Sequence, residues 1–346
     1  MAKTSISAVA RHAGVSTATV SKTLNGVVGF QISEAVRKRI MNAVKELDYQ
    51  PNHVARMLVR GKSDIIGLIF FGPRDPYYFE ISDAIETKAL EFGYRVFVEN
   101  IKDHREKIAS TGNLAGWPLD GIIVVWHDVW DAIANRIVTI SSRTPVVYIT
   151  PEKPDGFDAV SLDEFQAAKL ATQHVIDCGY KNPWYITPFS YRSNGERGLR
   201  TRAFEEVCDE HRIPRRVQEI STDDNIRKAG LEIGLEIANL PKDLRPDSVV
   251  CHNDVIAVGL YHGALRGGLR IPEDLALVGF DGLEEGAYLD KPLTTVSVRR
   301  KLICKRAVEL LLTKIESGNG SAVPSITIQG ELIRGATTKE KYAAEV

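Results

Sequence analysis

Thr17, Ala18 and Lys22 are the residues near the start of this chain that could do chemistry on a partner. Spaced one and four apart, they share the outer side of a short helix, where a methyl, a hydroxyl and an ammonium can meet the edges of bases. The elements that must present them are written in the surrounding residues. Ile6, Val9, Ala10 and Ala13 recur at helical spacing. Gly14 supplies a turn conformation that a side chain resists. Ser16 is a good N-cap for the next helix, and Val20 and Leu24 point back at the first. This pattern predicts a helix-turn-helix, whose second helix enters a DNA major groove. Ser33 can cap a third helix over Glu34–Leu47, which carries Ala35, Val36, Ile40, Val44 and Leu47 on one face, and Pro51 stops the chain from continuing it far.

Charge supports the same division. Residues 1–60 hold nine Lys and Arg against three Asp and Glu, whereas the remainder holds 35 against 42. A basic head on an acidic body suits a nucleic-acid-binding module joined to something that binds no nucleic acid. With 346 residues the chain is expected to form two or three units. No apolar stretch reaches the ~20 residues that span a bilayer, and no apolar core resembles a secretory signal, so no membrane role and a cytoplasmic location are expected. The four cysteines, Cys178, Cys208, Cys251 and Cys304, form no CxxC pair and are expected to be ordinary buried thiols. No metal site and no cofactor are expected.

After Lys62 short apolar runs alternate with helical patterns. Strands are predicted at Ile65–Phe70, Arg95–Glu99, Gly121–Trp126, Val146–Thr150, Trp184–Thr187, Ser248–Cys251 and Ala276–Phe280. Helices are predicted at Tyr78–Phe92, Asp128–Ser141, Glu164–Cys178, Arg197–His211, Ile226–Asn239 and Asp254–Gly267. Such alternation implies parallel sheets covered on both faces, and the number of strands suggests two similar subdomains.

The run AVARHAGVSTATVSKTLNG, followed by YQPNHVARMLVRGKSDIIGLI, resembles the opening of the lactose-repressor/galactose-repressor family of bacterial transcription regulators. Helix, turn, third helix, hinge and first strand follow in that family's order. The resemblance implies an all-α helix-turn-helix head over residues 1–50 and a hinge over 51–61. It implies an α/β body over 62–346, built of two doubly wound parallel-sheet lobes as in periplasmic binding proteins. Three crossings between the lobes are expected near 150–161, 282–292 and 317–324.

For DNA the resemblance implies that Thr17, Ala18 and Lys22 read base edges, with a phosphate contact as the alternative for Lys22. Ser16, Ser21 and Asn25 would act as caps and backbone contacts that fix register. In the hinge, Asn52, Ala55 and Arg56 fit the pattern, and Leu58 stands where the family carries a leucine wedge that opens a base step in the minor groove. For a small-molecule effector it implies an aromatic group from Tyr77, Tyr78 or Phe79, with Tyr78 preferred to Phe79. It also implies acceptors at Asp163 and Asp281, a contact from Asn253 with Asp254 as a helix cap, and an arginine fork. Arg197 matches the family position, but Arg200 follows where a glycine is usual, so either arginine could be the fork. The effector is expected to be a carbohydrate, or a purine-like compound.

The expected function is sequence-specific binding of a pseudo-palindromic double-stranded operator by a homodimeric repressor under allosteric control of that effector. A solute-binding receptor is the alternative, and it leaves the basic head unexplained. The sequence lacks a GxxxxGKS/T loop, a GxSxG elbow and an HExxH motif, so no enzyme activity is expected.

Overall fold

A computed structural model gives the structure of the chain and describes residues 4–24, 29–50, 57, 60–71, 76–101, 117–125, 144–150, 158–188, 192–193, 196–221, 225–317 and 325–339. The chain divides into two units, Met1–Ser63 and Asp64–Val346.

The first unit holds three helices, α1 (Ile6–Ala13), α2 (Thr17–Leu24) and α3 (Glu34–Glu46). Ser5 caps α1 by accepting the Ala8 N–H, and Ser33 caps α3 by accepting that of Val36. Gly14 ends α1 with φ 64°, in the left-handed region where glycine carries no side-chain penalty. Val9, Ala10, Ala13, Val20, Ile40 and Ala43 are buried together as its core. The expected apolar faces turn inward, except that Ala35 is exposed and Ala43 fills the core instead.

The second unit has two lobes, each built on a six-stranded sheet. Lobe one takes β1 (Ile65–Phe71), β2 (Arg95–Ile101), β3 (Gly121–Val125), β4 (Val146–Thr150) and β5 (Ala159–Leu162), with α4 (Pro76–Glu91) after β1. The chain then enters lobe two through α5 (Glu164–Asp177), β6 (Pro183–Pro188), the ribbon β7 (Arg192–Ser193) and β8 (Glu196–Arg197), and α6 (Leu199–Glu210). It continues through β9 (Arg216–Ile220), α7 (Ile226–Asn239), β10 (Ser248–Cys251), α8 (Asp254–Arg266), β11 (Ala276–Asp281), α9 (Glu284–Ala287) and β12 (Thr294–Ser297). Helix α10 (Arg300–Ser317) and strand β13 (Ile326–Ile328) belong to lobe one, and β14 (Glu331–Ile333) returns to lobe two.

Sheet one runs β13-β5-β4-β3-β1-β2 and every pairing is parallel. Sheet two runs β14-β12-β11-β10-β6-β9 and is parallel except for its β12–β14 edge. The central strands are buried on both faces, as Ile122–Val125 and Ala276–Phe280 show, which is why they read as unbroken apolar runs. The strand and helix patterns of the sequence recur with shifts of a residue or two at their ends. Helix Asp128–Ser141 lies outside the described residues.

The three crossings fall later than expected. They lie between Leu162 and Glu164, between Ser297 and Arg300, and between Ile328 and Glu331. Residues 158–162 first pair with β4 as a fifth strand of lobe one. Residues 282–292 stay in lobe two around the short helix α9, and β13 completes the first sheet after α10. Strands β5, β12, β13 and β14 are only three or four residues long and carry Ser, Thr or Glu among their apolar residues, so they do not stand out in the sequence as apolar runs. Their pairing partners reveal them.

Candidate functional site

In the first unit the Ser16 hydroxyl accepts the Thr19 N–H at 3.1 Å and so fixes the start of α2. Val20 faces the core, while Thr17, Ala18 and Lys22 are exposed and Ser21 is half-buried. The Lys22 ammonium lies 5.2 Å from the centre of the Phe30 ring, which steadies a long side chain without neutralising it. His12 meets the Glu46 carboxylate at 2.8 Å, tying α1 to α3. The described parts of this surface present donors and small groups, the set that a base edge or a phosphate can use. Asn25, Asn52, Ala55, Arg56 and Leu58 lie outside the described residues.

The second site collects at the carboxyl ends of the strands, where ligands bind in open α/β sheets. Tyr77 opens from β1, Thr150 ends β4, Leu162 ends β5, Arg200 follows β6, and Asp281 closes β11. A cavity of about 20 Å³ is lined by Tyr77, Ile149, Thr150, Leu162, Glu164, Arg200, Val298 and Ile303. That is room for one water, so a sugar or a nucleobase enters only when the lobes part or a side chain withdraws.

Arg200 is the hub. Its Nε donates to the Glu164 carboxylate, and its Nη1 donates to the His252 carbonyl at 2.6 Å and stands 3.6 Å from Asp281 Oδ1. The guanidinium carbon sits 3.9 Å from the centre of the Phe280 ring. His252 is buried, and its Nδ1 is 3.2 Å from the Tyr185 hydroxyl and 3.3 Å from that of Thr187. The open choice between two arginines thus acquires geometry: Arg200 faces Asp281, while the Arg197 backbone lies in β8 and its side chain is outside the described residues.

The three aromatic residues after β1 separate by helix phase, about 100° each. Tyr78 stacks on Phe70 with ring centres 5.0 Å apart and is core. Phe79 is 75% exposed. Tyr77 faces the cavity, and burial, aided by the Asp281 carboxylate, pushes its hydroxyl well above the usual tyrosine range. The expected preference for Tyr78 is corrected, because helix phase turns that residue into the core of lobe one.

Neither Asn253 nor Asp254 takes the role expected of it. Asn253 caps α8, its Oδ1 accepting the Ile256 N–H at 2.9 Å. Asp254 is fully buried, accepting the Leu283 N–H at 2.6 Å and the Thr295 hydroxyl at 2.6 Å. It anchors the loop after Asp281 from below. Burial pushes its carboxyl up to about 7, against the pull of those hydrogen bonds. Asp163 is likewise a cap: its carboxylate accepts the Gln166 N–H at 3.2 Å and the Gln329 amide at 3.3 Å, joining the first crossing to the third. The neighbouring Glu164 lines the cavity instead, a consequence of where β5 ends.

Sequence reasoning missed Glu164, His252 and Arg300. Only Glu164 left a signal, as the first helical residue after a strand end. The four cysteines are buried and form no disulfide, and burial pushes the Cys208 and Cys304 thiols up to about 12. Among the described residues no helix is long and apolar enough to cross a membrane, and no group of three or more His, Cys, Asp or Glu could hold a metal.

Comparison with known proteins agrees with both units. Residues 5–52 match the family model described as bacterial regulatory proteins, lacI family, and residues 172–338 match the periplasmic binding protein-like domain. The HTH-type transcriptional repressor PurR of Aliivibrio fischeri (strain MJ11) is 29% identical over 311 residues, spanning 89% of this chain and 90% of that one. The ribose operon repressor of Escherichia coli (strain K12) is 28% identical over 318 residues, spanning 89% and 92%. The fold is that of the lac repressor dimer solved with operator and the anti-inducer ONPF, at a TM-score of 0.81, 22% identity, and coverage of 97% and 99%. The chain thus joins a head that matches the lacI family of bacterial regulatory proteins to a periplasmic binding protein-like body, and its relatives of similar length include the repressors named above.

Proposed function

We infer that the protein is a homodimeric transcription repressor whose hold on a pseudo-palindromic operator is set by a small molecule bound between its lobes. The observation that carries this reading is the capped α2, with Thr17, Ala18 and Lys22 exposed on a basic unit while its apolar face is buried. Two such heads in a dimer read two half-sites. Residues 1–50 serve as the reading head, 51–61 as the hinge with Leu58 as its wedge, and 62–346 as the effector and dimerisation body. We read this surface as a binding surface and assign it no catalysis, and a repressor that works on DNA is expected in the cytoplasm.

At the cleft each guanidinium is matched by carboxylates: Arg200 by Glu164 and Asp281, Arg300 by Glu80. With apolar walls beside them, this favours an uncharged, hydroxyl-rich ring over an anion. Tyr77, Arg200 and Asp281 are the contacts expected from the described residues, with Arg197 a further candidate. One similar structure holds ribose and another cellobiose. A ligand that binds one lobe arrangement better than the other shifts the population by its difference in affinity, typically 1–3 kcal/mol.

The test is selection of duplexes from a random library by the full chain. Gel shifts at graded salt then follow, with and without ribose, cellobiose and purine bases. A specific complex with steep salt dependence, altered by one of these compounds, is the expected result. No duplex preference under any condition overturns the reading. Ligand binding without any DNA binding favours a solute receptor.

A further inference from the structure

Arg300 reaches from lobe one into lobe two. It is the first residue of α10, which packs against α4 and strands β3, β4 and β5 of lobe one. Its Nη1 donates to the Asp281 carbonyl at 2.6 Å and its Nη2 to the Gly282 carbonyl at 3.1 Å. Nη2 also meets the carboxylate of Glu80, on α4 of the same lobe. The other Glu80 oxygen accepts the Glu284 N–H of lobe two at 3.4 Å. Two side chains of one lobe thus hold three backbone groups within four residues of the other. Arg300 is buried, so its guanidinium depends on these partners.

The segment they hold is strained. Asp281 has φ 111°, a conformation that L side chains rarely adopt, and it ends a strand whose preceding residues pair regularly. Such a residue persists only where its surroundings over-determine it. Lobe two supplies some restraint itself, through Thr295 and Asp254 on the Gly282 and Leu283 N–H groups. The carbonyl side of the Asp281 and Gly282 peptides is gripped by Arg300, from the other lobe.

We propose that Arg300, braced by Glu80, is an interlobe latch that holds Asp281 in its strained conformation while the lobes are together. Parting of the lobes withdraws the fork, and the Asp281 backbone relaxes and carries its carboxylate with it. Arg300 is therefore a positioning residue, acting through Asp281. Its part in effector response rests on the reading of Asp281 as an effector contact, whereas the latch does not.

The test is a thermal-unfolding cycle on the full chain. Asp281→Gly removes the side chain that makes φ 111° costly. Its shift in unfolding midpoint is measured in the natural chain and again with Arg300→Gln. Loss of the Arg200 contact is common to both and cancels. With the latch in force, Asp281→Gly is more favourable in the natural background by about 2 °C. Arg300→Lys keeps a charge for Glu80 but lacks the fork, and is expected to behave as Arg300→Gln. It also serves if the glutamine variant does not fold. Deuterium uptake over residues 281–284 is expected to rise several-fold in Arg300→Lys and in Glu80→Gln. Additive midpoint shifts overturn the proposal whatever the uptake. A non-additive cycle in a chain that binds none of the compounds named above keeps the latch and removes its link to effector.

Discussion

Gly279 makes room for the carboxylate of Asp254. A Cβ on Gly279 would lie 2.0 Å from Asp254 Oδ1 and 2.9 Å from a Leu293 methyl. The glycine of β11 and the acid that opens α8 are therefore one device. It lets a carboxyl group sit beneath the end of the strand and hold the loop that carries the cleft aspartate.

Gly279→Ala is expected to destabilise the chain by about 3 kcal/mol, since neither the anchored carboxylate nor the packed Leu293 has space to withdraw. Urea denaturation measures the loss. A change within 0.5 kcal/mol, or roughly the size of a surface substitution, would show that Asp254 is not held in place.

Asp254 also makes stability depend on pH. Its carboxyl is pushed up to about 7 in the folded chain, while the unfolded chain titrates in the ordinary carboxylate range. Between those limits the folded state binds more protons. Stability from neutral Asp254 is complete at the acid end and is lost as pH rises through about 7, by roughly 4 kcal/mol over the interval. In Asp254→Asn that component of the slope should vanish, read from urea midpoints at a series of pH values.

Helices α7 and α8 touch backbone to backbone through Gly230, Gly234, Gly259 and Gly263. A Cβ on Gly263 would stand 2.1 Å from the Leu231 carbonyl oxygen, and one on Gly259 would stand 2.1 Å from that of Arg227. Main-chain atoms do not swing aside as a side-chain tip does. Gly263→Ala should therefore destabilise by several kcal/mol, on the order of an overpacked core, despite alanine's better helix propensity. A raised melting temperature would contradict the close approach.

Two substitutions separate the DNA elements. Lys22→Ala should weaken a selected duplex by about 1–3 kcal/mol, or roughly 5- to 150-fold, and relax preference at one base pair if Lys22 reads a base. A uniform loss across sequences, with the salt slope smaller by about one, would mark a phosphate contact instead. Leu58→Ala should weaken specific binding while leaving random DNA bound as before, and equal loss of both would refute the wedge.

Much of the architecture was legible because it is local. Ser16, Ser33 and Gly14 mark helix ends by chemistry that acts within three residues, and the structure uses each as expected. Val146–Thr150 and Ser248–Cys251 announced themselves as unbroken apolar runs, and both became strands with those limits. The failures are as instructive. Asn253 and Asp254 are adjacent, and either could cap a helix. Both are buried, and which one reaches beneath the Asp281 loop follows from the space at Gly279 on β11. Tyr77, Tyr78 and Phe79 differ by helix phase alone, which is fixed by where β1 ends and how α4 lies on its sheet.

The sequence by itself determined a basic helix-turn-helix head, an alternating α/β body and the aspartate at the end of β11, since these depend on periodicity, capping and charge along short stretches. Only the tertiary structure decided which side chains meet in the cleft. Arg300 and Glu80 are 220 residues apart, and no local pattern marks either as the other's partner. The second crossing brings them together, because it returns the chain to lobe one, where α10 packs against α4.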